Sequence, residues 1–139
     1  MNLFITFLFP LIFSTQDYRE IYKSQDEDRV KYALKVLSNK SNLTSDESCY
    51  KAVFECMNAE YLINPYQKLS SFNRGYSTLN ALINRYRNNA EYRYHRYMIE
   101  KNAPSWLIDT NHMKNDRSVV RARLNKQHPM YSFIMKTMN

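Results

Sequence analysis

NPYQKLSSFNRGYSTLNALINRYRNNAEYRYHRYMIEK, residues 64–101, decides the fold of this chain. Asn64 is a good N-cap. Pro65, at the first helical position, has its φ preset and gives up only an amide that had no partner. Leu69, Phe72, Tyr76, Leu79, Ile83 and Tyr86 then follow at gaps of three and four. That rhythm places all six on one face of an α-helix and excludes the alternation of a strand. Gly75, the sole glycine of the chain, falls inside this helix. An internal glycine costs about 1 kcal/mol against alanine, so the spacing predicts a neighbouring helix backbone close by.

Asn88-Asn89-Ala90-Glu91 breaks the pattern. Asn88 or Asn89 can cap the next helix, and Asn88 with Glu91 has the spacing of a reciprocal capping box. Tyr94, Tyr97, Met98 and Lys101 share one side of that helix, with Tyr92, His95 and Ile99 beside it. So short a break makes the two helices antiparallel neighbours.

Ala81-Leu82-Ile83 followed by Asn88-Asn89-Ala90-Glu91-Tyr92 resembles the junction between two tetratricopeptide repeats, although Tyr86 and Arg87 stand where those repeats have proline. More widely, Phe54 to Ala59, Asn64-Pro65 and Glu100 to Pro104 are similar to small exported proteins of Bacteroidetes-type bacteria, a group that carries no assigned activity. The repeat resemblance implies an all-α fold in which antiparallel helical hairpins stack as a short tetratricopeptide-like array. It also implies a concave face that holds a protein or peptide and does no chemistry.

The remaining sequence fits that architecture. A chain of 139 residues is one domain long, and one Gly with four Pro is too few for an all-β fold. Leu3 to Phe13 is apolar except for Thr6 and Pro10, and it is shorter than the roughly 20 residues needed to span a bilayer. It reads as a signal peptide over residues 1–15, with Ser14-Thr15 at the cleavage site and the mature domain over 16–139. A membrane-associated segment and a buried N-terminal helix are the other two readings. The expected location is exported, periplasmic or secreted.

Asp17 to Asn39 reads as helix with a break near Ser24-Gln25-Asp26, and Val30, Ala33, Leu34 and Leu37 form its stripe. Thr44 with Glu47 offers a capping box for a helix reaching Ile63. Its apolar residues lie on two sides (Cys49, Val53, Cys56 and Ile63; Tyr50, Phe54, Met57 and Tyr61), which makes it the central helix. Met113 to Lys126 is a helix with Val119, Val120, Ala122 and Leu124 inward, and Pro129 opens a last one. Three hairpins emerge, turning near 39–44, 87–89 and 126–129.

No motif for catalysis stands out. Cys49 and Cys56 are seven residues apart on one helix, about 10 Å by helical rise and beyond the roughly 7 Å reach of a disulfide. They read as buried thiols. His95, His112 and His128 are scattered, and a metal site needs three or four converging ligands. With one glycine there is no phosphate-binding loop. The expectation is therefore a non-enzymatic protein with no metal and no cofactor.

Charge is lopsided. Gln16 to Asn64 carries seven Lys/Arg against nine Asp/Glu, whereas Pro65 to Asn139 carries thirteen against four. Arginines interleave with tyrosines around residues 85–97, and Lys114, Arg117 and Arg121 share a helix face. Arg93, Tyr94, Arg96 and Tyr97, with Arg117 and Arg121 beside them, are the candidate binding residues for a protein or peptide partner. The alternative is an anion binder (an acidic glycan, a membrane surface or nucleic acid) acting through this basic half. An export signal weighs against nucleic acid, and tyrosines packed inside a solvated arginine rim is the reading without any ligand.

Overall fold

The computed structural model describes residues 13–139, and they form seven α-helices and a single 3₁₀ turn with no strand among the described residues. The helices are α1 (Thr15–Ser24), α2 (Glu27–Asn39), α3 (Ser45–Tyr61), α4 (Pro65–Arg85), α5 (Ala90–Asn102), α6 (Met113–Arg123) and α7 (Tyr131–Thr137). The 3₁₀ turn is Ser105–Leu107, in the connection between α5 and α6. From α1 to α6, successive helices pack on one another as an all-α array. Most of the apolar run expected to be a signal peptide lies outside the described residues.

Caps written in the sequence set the helix starts. Thr44 accepts the Glu47 amide while the Glu47 carboxylate accepts the Thr44 amide, and the Asn64 side chain accepts the amides of Tyr66 and Gln67. The break near Ser24-Gln25-Asp26 is present: Gln25 ends α1 in the left-handed region (φ 52°) and Asp26 caps α2. The capping box expected for α5 does not form. Asn89 is the cap, accepting the Tyr92 amide at 3.0 Å, and Glu91 is drawn instead to partners on α1 and α3.

Before the first helix, Ser14 closes a capping box with Asp17, and Phe13 packs against the rings of Tyr18 and Tyr32. A chain starting at Gln16 would lack both.

Helix α3 is central, touching α1, α2, α4 and α5. Tyr18, Tyr50, Phe54, Leu37, Leu79 and Ile83 are fully buried around it, and burial of each such side chain contributes about 1.5–3 kcal/mol. Gly75 explains how α4 sits so close. A Cβ there would lie 2.4 Å from the Ala52 carbonyl oxygen, 2.9 Å from Cys56 Sγ and 3.0 Å from Glu55 Cβ. The predicted backbone approach is real, and Ser71 Oγ, donating to the Glu55 carbonyl at 2.8 Å, ties the same two helices together.

Several expected inward residues face water, Leu69 of α4 (40% exposed) and Ile63 past the end of α3 (94%) among them. Ala122 on α6 is exposed, as is Tyr86 beyond the end of α4. Helix α5 departs from an amphipathic pattern, because every residue from Ala90 to Tyr97 is buried. Its charged residues are accommodated by ion pairs.

Candidate functional site

A groove of about 840 Å³ runs along one side of the array. Val53, Cys56 and Met57 of α3, Leu69 and Phe72 of α4, and Met98 and Ile99 of α5 form its apolar walls. Tyr22 of α1 and Phe133 of α7 line it too, and the 3₁₀ turn adds Trp106 and Leu107. Pro104 ends α5 and starts this turn, which holds the tryptophan at the rim. Of the groove's lining residues, Trp106 is 74% exposed and Leu69 40%; Ile63 (94%) and Tyr66 (84%), in and just after the α3–α4 turn, are exposed but are not among them. An apolar groove open to solvent is a candidate binding site.

Two buried charge clusters lie between the helices. In the first, the Glu91 carboxylate accepts two hydrogen bonds from the Arg19 guanidinium (2.8 and 2.9 Å) and one from the Tyr50 hydroxyl (2.8 Å). Burial alone would raise the Glu91 pKa, but Arg19 and its other partners bring it below the usual range, so it stays ionised. His95 Nε2 sits 3.2 Å from the Tyr50 hydroxyl, and burial lowers the His95 pKa to about 4. In the second cluster, Asp116 of α6 accepts from Arg93 (3.0 Å) and, through both oxygens, from Arg96 (2.7 Å each). Asp116 is 0% exposed. Glu100 accepts the His112 amide at 2.6 Å, closing the cluster against the loop before α6.

The structure does not bring the six candidate binding residues onto one face. Arg93 and Arg96 are buried and spent on Asp116, so they clamp α6 to α5 rather than reaching outward. Tyr97 is buried. Tyr94 is buried as well but lines the groove, and its hydroxyl is bonded to Thr137 Oγ1 at 2.6 Å. Arg117 and Arg121 lie elsewhere, in a second, shallower groove of about 660 Å³ with Lys114, Ser118 and the edge of Tyr97. No carboxylate lies within 4 Å of these three cations among the described residues. Sequence reasoning missed the apolar groove, since Met57, Met98 and Phe133 look like ordinary core residues. The lone tryptophan beside Pro104 was the available signal.

The thiols offer no reactive centre in this arrangement. Cys49 and Cys56 are both free and buried, and burial pushes both pKa values up, which keeps them protonated near neutral pH. Among the described residues, no three His, Cys, Asp or Glu side chains converge as metal ligands. The chain matches no known protein family, no curated protein and no solved structure.

Proposed function

We propose that this chain is a non-enzymatic, exported binding module of the tetratricopeptide-like kind, and that the groove between α3, α4 and α5 receives an apolar segment of a protein partner. The observation that carries the proposal is that the groove's own apolar lining reaches solvent, at Leu69 (40% exposed) and Trp106 (74% exposed). A small ligand enclosed in a cavity would not call for apolar side chains open to solvent. An amphipathic helix lays a stripe of anchors into such a groove and covers the rim as well.

Trp106, the sole tryptophan, provides the assay. At 74% exposed it should emit as a solvated indole, and docking should shift its emission to the blue. Titration with a set of apolar-faced helical peptides should produce that shift. Leu69→Asp, which places a charge in the groove wall, should abolish it. If no peptide moves the emission, or if Leu69→Asp leaves the response intact, the proposal fails.

Lys114, Arg117 and Arg121, without a carboxylate partner among the described residues, favour a second reading, an anion binder. Arg117 Nε is buried with no hydrogen-bond partner among the described residues, and a buried donor left unpaired is costly. The same titrations separate the two. Anion binding should weaken steeply and log-linearly with salt and be lost in Arg117→Glu with Arg121→Glu, whereas groove docking should respond weakly to both.

A further inference from the structure

The hydrogen-bond chain behind the groove fixes the tautomer of His95. Glu91 is an ionised carboxylate and can only accept, and the Tyr50 hydroxyl lies 2.8 Å from its Oε2. Two bare oxygens would repel at that distance, so the single Tyr50 proton points at Glu91. The Tyr50 oxygen is then an acceptor towards His95 Nε2, 3.2 Å away, and Nε2 must carry the proton. The imidazole is 1% exposed and neutral at pH 7, with one proton to place. Nδ1 is therefore a bare lone pair. It is buried, and no donor among the described residues reaches it.

A buried acceptor without a donor is an unusual and costly feature. His95 is also a lining residue of the groove, together with Tyr22, Tyr94 and Phe133, whereas Tyr50 on its Nε2 side is not. Edge-on contacts from Tyr22 (4.6 Å between centroids) and Tyr50 (5.1 Å) hold the imidazole in place. The arrangement is an aromatic recess with one fixed acceptor.

We propose that this recess selects its occupant by a single donor: His95 Nδ1 accepts a hydrogen bond from an aromatic group that carries one N–H or O–H, as the side chain of Trp or Tyr does. The inference rests on the groove being a binding surface, and it adds which side chain of the partner enters deepest. A carboxylate or carbonyl would oppose the lone pair, and a purely apolar ring would leave it unsatisfied. The recess thus discriminates among apolar side chains of similar size.

Indole and indene, near-identical in shape and differing in the N–H, test this with the full chain. Backbone amide shifts of groove residues report binding of each probe, and ¹⁵N spectra of the histidine side chains report the protonation of His95 directly. Indole should bind about 5- to 10-fold more tightly than indene, a hydrogen bond's worth, and should move the Nδ1 resonance. In His95→Phe the two probes should bind alike. Equal binding of both probes to the wild-type chain would overturn the inference while leaving the groove reading intact. A proton found on Nδ1 in the free protein would overturn it without recourse to any variant. Groove amides that respond to neither probe would overturn the groove reading and this inference with it.

Discussion

Gly75→Ala sets two well-known effects against each other, and the structure decides the sign. In an open helix the change should stabilise by about 1 kcal/mol, because alanine has the higher helix propensity. Here the new methyl would sit 2.4 Å from the Ala52 carbonyl oxygen. That neighbour is backbone on the central helix, not the free end of a side chain, so relief requires α4 to move away from α3. Overpacking of this kind costs about 1–3 kcal/mol and sometimes more. The move would also stretch the Ser71–Glu55 hydrogen bond, worth about 1 kcal/mol. The net expectation is a loss of about 2 kcal/mol. Urea denaturation followed by circular dichroism measures it, with Ser77→Ala on the exposed side of α4 as the propensity control. If Gly75→Ala matches or exceeds the wild-type stability, the close α3–α4 packing described above is wrong.

Asp116→Asn should leave the two buried arginines without their counter-charge and cost about 3–5 kcal/mol, with hydrogen exchange showing α6 opening before the rest of the array. The His95 pKa, about 4 when folded against 6.5 when free, makes stability depend on pH with a definite sign. Between those values the unfolded chain binds more protons, so the contribution is complete above about pH 6.5 and is lost as pH falls towards 4. The loss should be about 3 kcal/mol, adding to that from His128, whose pKa burial also lowers. Denaturation midpoints measured from pH 7 to 4 should fall in the wild type and fall less in His95→Gln; equal slopes would exclude His95 as the titrating group.

The α4 helix was legible because its signals are local. The Asn64-Pro65 start and the three-four gaps act within a few residues, and they also anticipated the close approach at Gly75. The stripe was less informative at its ends, where Leu69 borders the groove and Tyr86 reaches water. Helix α5 was misread more deeply. Arg93, Arg96 and Glu91 carry charge, and charge in a sequence normally indicates exposure. The partners that make burial tolerable, Arg19 and Asp116, lie on other helices, and no periodicity reports a pairing across 72 or 23 residues. The groove was hidden for a related reason. Its walls come from separate segments, each apolar for reasons that look like core, and only their arrangement leaves a space between them.

The Arg19–Glu91 contact has a consequence for how this array differs from a modular one. In a true repeat protein a unit can be excised or duplicated because each touches only its neighbours. Here the first helix docks its guanidinium on a carboxylate of the fifth, with a tyrosine of the third sharing that carboxylate. Removing α1, α5 or α6 would strand an ion in the interior. The chain should therefore melt in a single step, and its evolution would proceed by substitution within the whole, not by adding or dropping units.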